Sequence, residues 1–128
     1  MIDVSIAESI HHILIDTYGG TKGIRDMGAL EAALARPYAS FDKNDLYPDP
    51  IDKAAAVFES MIINHPFIDG NKRISYVLMR LVLLQNNFDI SASLHEKYEF
   101  VISASKGESR FNEIKVWLKN HLVTKSKE

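Results

Sequence analysis

Apolar residues along this chain recur mostly at steps of three and four. Ile6, Ile10, Ile13 and Leu14 form the first such stripe, which predicts a helix over residues 6–18 with these residues on its buried face. The adjacent His11-His12 pair has no matching carboxylate or histidine pattern and reads as helix surface. Gly19-Gly20 stops the helix, because glycine adopts the left-handed conformation of a helix end at little cost. Asp26 caps a second helix carrying Leu30, Ala33 and Leu34, and Pro37 ends it. Over residues 37–50, PYASFDKNDLYPDP, the helical spacing fails. Three prolines and three aromatics fall among turn formers, with room for one short hairpin. A connection this long in a compact domain is more often functional than idle.

Helical spacing returns at Asp49 or Pro50 and continues to about residue 64, with Ala54, Val57, Phe58, Met61 and Ile62 on one face. The following run, RISYVLMRLVLLQNN, is apolar nearly all round and is expected to be the buried central helix. Ser93 with Glu96 makes a capping box for a fifth helix that Gly107 can close. The last helix, residues 110–122, carries Phe111, Ile114, Trp117, Leu118 and Leu122. The expected fold is all-α, one compact domain of about six helices over residues 1–128.

Composition narrows the function. The 128 residues are 46% hydrophobic, enough for a sizeable core. Fifteen basic and seventeen acidic side chains leave a formal charge of -2, which argues against general affinity for nucleic acid or an anionic membrane. The basic residues of the terminal KSKE read as a solvated end. The absence of cysteine excludes disulfides and thiolate metal sites. MIDVSIAESIHH does not resemble a secretory signal, and the apolar stretch at residues 74–84 is interrupted by Arg80 and too short to span a bilayer. A soluble cytoplasmic protein is the expectation.

The candidate chemistry lies between the third and fourth helices, in HPFIDGNKR at residues 65–73. A helix start favours acidic side chains, yet Lys72 and Arg73 crowd this one. Gly70 and the backbone N–H groups after it form an anion site, and the two cations suit it to phosphate. Asn71 can offer its side-chain amide to a phosphate oxygen. Asp69 beside phosphates would be repelled unless a divalent cation lies between them, and magnesium is commonly held by one or two carboxylates plus substrate phosphates. His65 can take a proton from an attacking hydroxyl. Phe67 points inward and anchors the loop. Taken singly, each residue has an ordinary explanation: His65 as a helix-end or surface residue, Asp69-Gly70 as a turn, Asn71 as an N-cap, Lys72 and Arg73 as a solvated face. Together they equip the loop to transfer part of a nucleoside triphosphate to a hydroxyl.

This stretch resembles the signature of the Fic/Doc family, His-Pro-Phe-x-Asp/Glu-Gly-Asn followed by a basic stretch. GGTKGIRDMGALEAALARP and YPDPIDKAAA resemble its death-on-curing (Doc) branch, so the likeness covers roughly residues 10 to 90. The resemblance implies a compact helical fold and Mg2+-dependent transfer from ATP to a protein hydroxyl. His65 would be the base, Asp69 the metal carboxylate, Gly70, Asn71, Lys72 and Arg73 the phosphate site, and Phe67 the loop anchor. The segment 37–50 would be a flap that aligns a target peptide.

The AMP-transferring branch commonly has Gly-Arg after the Asn and a further Arg three residues on. This chain has Tyr76 at that later position, and its Lys72-Arg73 resembles the Doc form, which phosphorylates a translation elongation factor. The resemblance therefore favours transfer of the terminal phosphate to a Ser or Thr hydroxyl, with AMP transfer as the alternative. The family's self-inhibitory Ser/Thr-x-x-x-Glu-Gly/Asn pattern does not occur in these residues, which implies a separate antitoxin partner. Two other classes compete. One is a non-catalytic module that binds nucleotide. The other is a DNA-binding regulator, disfavoured because the loop is too long for a helix-turn-helix and the charge is wrong.

Overall fold

A computed structural model describes residues 1–125, so the last three residues of KSKE lie outside the described residues. Helices α1 (Val4–Tyr18) and α2 (Met27–Ala35) are followed by a 3-10 turn, Arg36–Tyr38. Strands β1 (Ser40–Phe41) and β2 (Asn44–Asp45) precede the long helices α3 (Pro50–Asn64) and α4 (Asn71–Gln85). The chain continues through β3 (Phe88–Ile90), α5 (Leu94–Ser105), α6 (Phe111–His121) and β4 (Leu122–Thr124). The architecture is all-helical with two small antiparallel strand pairs.

The expected hairpin is present within residues 37–50, with Ser40 opposite Asp45 and Phe41 opposite Asn44. Its turn residues, Asp42 and Lys43, both have positive φ, 52° and 65°. That left-handed pair matches the twist of a tight hairpin, although neither residue is glycine. The β3–β4 ribbon was not anticipated. Leu122 fitted the helical stripe of α6 but instead starts a strand, pairing with Ile90.

Two burial expectations are corrected. In α1 the fully covered positions are Ala7, His11 and Ile15, spaced by four, whereas Ile6 and Ile13 are exposed. The helix is thus turned by about one residue from the predicted face, bringing His11 into the core. The most deeply covered helix is α3, in which every residue from Ala54 to Ile62 is buried. Its three consecutive alanines, Ala54, Ala55 and Ala56, let neighbouring elements approach on several sides. Helix α4 buries Ile74, Leu78, Met79, Val82 and Leu83 but leaves Lys72, Arg73 and Arg80 exposed, so it has an open face.

Glu59 is one of two buried carboxylates on α3; the other, Asp52, pairs with Lys115. Glu59 accepts from Arg36 at 2.9 Å, Arg110 at 3.1 Å and the Phe111 N–H at 2.7 Å. Burial pushes its carboxyl up, but the hydrogen bonds from Arg36 and Arg110, with their charges and the Phe111 N–H, outweigh that and hold it below its ordinary value. Arg36 also reaches the Tyr47 hydroxyl at 2.9 Å and lies against the rings of Tyr47 and Phe111. The base of the hairpin is thereby tied to α3 and α6.

A second ion pair holds the far end of α4. Arg80 donates twice to Asp89, at 2.8 and 3.0 Å, and Lys125 lies 3.7 Å away. Hydrogen bonding from Arg80 is the main cause that lowers the Asp89 carboxyl from 3.8 to about 2, against the opposing effect of burial. A carboxyl with a folded pKa below its unfolded one stabilises above the unfolded value, and that stability is lost as pH falls through the folded value. Asp89→Asn is expected to lower the urea unfolding free energy by roughly 1–2 kcal/mol at neutral pH, trimmed because Arg80 is half-exposed. The gap from wild type should close as pH falls from 3.8 towards about 2. An equal gap at both ends of that range would show that the ion pair is not its source.

Candidate active site

The site grows from the junction of α3 and α4. Helix α3 ends at His65, whose backbone is left-handed (φ 46°, ψ 60°) and whose N–H reaches the Met61 carbonyl at 3.3 Å. A non-glycine residue there is strained by about a kcal/mol or more and needs support from its surroundings. Arg25 supplies it, donating from Nε to the His65 carbonyl at 2.7 Å and from a terminal nitrogen to that of Asn64. Pro66 and Phe67 are buried; the His65 side chain stays exposed. Phe67 is 1% exposed and stacks on His11, with ring centres 3.9 Å apart, so it faces inward as expected.

Gly70, with φ at 73°, occupies the N-cap of α4, and no side chain caps the helix. Asn71 is not the cap that its residue type suggested: it is the first helical residue, and its side chain faces back into the loop. Its Oδ1 accepts the Phe67 N–H at 3.0 Å and its Nδ2 donates to the Phe67 carbonyl at 2.9 Å. One amide hydrogen is thus committed to holding the turn, leaving only the other for a phosphate oxygen.

The loop between α1 and α2 is laced to this turn. Arg25 and Asp26 N–H groups donate to the Pro66 carbonyl at 2.8 and 3.0 Å, and Ile68 N–H donates to the Gly23 carbonyl at 3.0 Å. Both oxygens of Asp69 are held by backbone: Oδ1 accepts from Gly70 N–H at 2.8 Å and Oδ2 from Thr21 N–H at 3.1 Å. A Cβ on Gly20 would lie 2.8 Å from Asp69 Oδ2, so the bare glycine backbone lets the loop come this close. His11, expected on the surface, is fully buried and its Nε2 lies 2.7 Å from the Asp69 carbonyl oxygen.

His65, Asp69, Gly70, Asn71, Lys72 and Arg73 line one pocket of about 810 Å³, so the six residues singled out in the sequence for chemistry share one site. Tyr18, Tyr76, Leu94, Tyr98, Val101 and Ile102 also line it. The Arg73 guanidinium lies 4.4 Å from the centre of the Tyr18 ring. Lys97 lines the pocket from α5 and adds a third cation. Burial pushes the Tyr76 hydroxyl up to about 12, the nearby Asp89 charge adds to the rise, and the Arg80 charge opposes it.

The donors fit a magnesium ion that arrives with a polyphosphate. Asp69 is exposed, its two oxygens are oriented, and each retains a lone pair beyond the one used by backbone. Among the described residues no group of three or more His, Cys, Asp and Glu could hold a metal alone. The remaining ligands would be phosphate and water oxygens, which is how magnesium is commonly bound.

The model of the Fic/DOC family matches residues 1–83. The chain belongs to the Fic/DOC family. The match takes in the candidate loop and most of α4, while α5 and α6 lie beyond it. Toxin Doc of Mycolicibacterium smegmatis is 41% identical over 75 residues, 59% of this chain and 58% of that protein. Protein adenylyltransferase fic-1 of Caenorhabditis elegans is 36% identical over 47 residues, 37% of this chain and 9% of that protein. The chain therefore covers somewhat over half of the Doc relative and a small part of the fic-1 relative.

Sequence reasoning missed His11, Gly20, Thr21 and Arg25 as parts of this Fic/DOC site. The spacing of Ala7, His11 and Ile15 could have exposed the first of them, had histidine been allowed on a buried face. The others act largely through backbone atoms or on them, which residue type does not reveal. Asn71→Ala removes both partners of the Phe67 peptide groups. It is expected to cost about 2 kcal/mol in urea unfolding, the range for part-buried backbone groups left unpaired. Asn71→Asp keeps the acceptor for Phe67 N–H and is expected to cost less. Equal midpoints for all three proteins would show that the turn does not depend on this ring.

Proposed function

We propose that the chain is a Doc-like toxin that moves the terminal phosphate of ATP to a Ser or Thr hydroxyl of a cellular protein, with a translation elongation factor as the candidate target. The observation that carries this reading is the convergence of an exposed imidazole, an oriented carboxylate and an uncapped, cation-bearing helix start on one pocket. His65 takes the hydroxyl proton as that oxygen forms its bond to the γ-phosphorus. The bond from that phosphorus to the β,γ-bridging oxygen breaks, and ADP leaves. Asp69 holds Mg2+, which when bound supplies positive charge to the phosphate oxygens. Backbone N–H groups from Gly70 onward, the second amide hydrogen of Asn71, Lys72 and Arg73 bind the phosphates.

The hairpin β1–β2 suits the role of flap. It is exposed, Phe41 is 76% exposed, and its short edges offer free backbone groups for pairing with an extended target segment. An antitoxin partner covering the pocket or the hairpin would restrain the activity. The setting is the cytoplasm, where ATP and the target are found. No helix among the described residues is long and apolar enough to cross a membrane.

AMP transfer is the second reading, favoured by the match to a relative named a protein adenylyltransferase. Against it, Tyr76 stands in the pocket where a further arginine would serve AMP transfer.

The purified protein is to be incubated with cell lysate, Mg2+ and ATP labelled at the γ- or the α-phosphate. Label in protein from the γ position alone is the expected outcome; label from the α position would establish AMP transfer instead. Tight ATP binding without either label would favour a non-catalytic module. His65→Ala is expected to cut labelling by about a hundredfold or more without shifting the unfolding midpoint. Asp69→Ala should abolish labelling at Mg2+ concentrations that saturate the wild-type protein; full labelling there would remove Asp69 from the metal site.

A further inference from the structure

We propose that His11 is a positioning residue for the Asp69 carboxylate, acting through the Asp69–Gly70 peptide. The inference rests on the functional reading above for its consequence, though not for its geometry. His11 is fully buried in α1 and 58 residues away in sequence, yet its Nε2 lies 2.7 Å from the Asp69 carbonyl oxygen. That oxygen can only accept, so Nε2 carries the hydrogen and the ring is the Nε2–H tautomer. Nδ1 is then a bare acceptor, and it is buried with no hydrogen-bond partner. Leaving such an atom unpaired is unfavourable. If the core needed only a flat ring against Phe67, phenylalanine would fill the space without that cost. The bond to Asp69 is what the imidazole adds.

The peptide plane passes this bond on. In a trans peptide the carbonyl and the following N–H are rigidly coplanar and point in opposite directions. When His11 holds the Asp69 carbonyl towards α1, the Gly70 N–H must point away from it. That N–H is the group that binds Asp69 Oδ1 at 2.8 Å. The other oxygen, Oδ2, is met by Thr21 N–H from the loop that follows α1. One helix and the loop after it therefore set both oxygens of the one carboxylate that lines the pocket. Gly70 has φ at 73°, and a Cβ there would sit 3.2 Å from Ile15 and 3.6 Å from His11 Nε2, so the plane is also confined from the side of α1.

The test compares His11→Phe, which keeps the flat ring but has no donor, with His11→Gln, whose amide nitrogen can replace Nε2. Leu118→Ala, in the core of α6 and away from the pocket, serves as a control for general destabilisation. The first readout needs no nucleotide: the amide NMR signals of Gly70 and Thr21 in the free proteins. His11→Phe is expected to move both, His11→Gln to keep both near their wild-type positions, and Leu118→Ala to leave them unmoved. The second readout is MgATP affinity, expected to fall about tenfold or more in His11→Phe and to be largely restored in His11→Gln. Unmoved Gly70 and Thr21 signals in His11→Phe overturn the proposal. So does a Leu118→Ala protein that reproduces the same changes. Failure of the wild-type protein to bind MgATP would sink the functional reading alone, because the first readout still decides whether His11 orients the carboxylate.

Discussion

The polar chemistry of this protein depends on a tight turn that must hold its shape without a hydrophobic interior of its own. Asn71 solves the problem locally by closing a hydrogen-bonded ring on both peptide groups of Phe67. Phe67 solves it globally by inserting its ring into the core against His11. Between these two anchors the chain displays Asp69 outward, and just past them Lys72 and Arg73. The cations sit at the positive end of α4, which is unfavourable by some tenths of a kcal/mol each. Rigid support from α3 and from the loop after α1 offsets that placement, so the loop can keep a charge pattern suited to an anion rather than to folding.

The support is divided between two layers. Helix α3, buried along most of its length, fixes where His65 emerges, and Arg25 holds the strained residue by its carbonyl. On its opposite side Glu59 gathers Arg36 and Arg110, and through Arg36 it reaches Tyr47 at the root of the hairpin. His65 and the hairpin, the base and flap of the proposed function, are therefore referenced to the same helix. Relative placement of a catalytic base and a target-binding edge within a fraction of an ångström is what proximity effects require.

Much of this was legible in the sequence. The helices of the chain were readable from the spacing of apolar residues and from caps such as Ser93 with Glu96, because those signals are local. The loop was readable because Lys72 and Arg73 run against the charge preference of a helix start, a signal that is local. What was not legible depended on distant partners. Which face of α1 turns inward is decided by the Asp69 carbonyl and the Phe67 ring, and both lie more than fifty residues away. The greater burial of α3 reflects small alanines that admit neighbours on several sides, whereas apolar content alone pointed to α4. Asn71 looked like a cap because capping is its commonest local use, but Gly70 took that place and released the amide for the loop. Strands β3 and β4 are too short to show a period of two.

A lone carboxylate also shapes how the site would respond to its ligands. With Asp69 as the single acidic side chain at the helix start, and no three-residue metal cluster among the described residues, magnesium alone would find few ligands. The nucleotide alone would bring phosphates close to the Asp69 charge. Each relieves the difficulty of the other, so on the proposed function their binding is coupled, and the coupling acts equally in both directions. Anything that turns the carboxylate away from the pocket should then weaken nucleotide and metal together. An orientation enforced by backbone N–H groups on both oxygens is the arrangement such a coupling needs, since a freely rotating side chain would give up part of the gain as entropy.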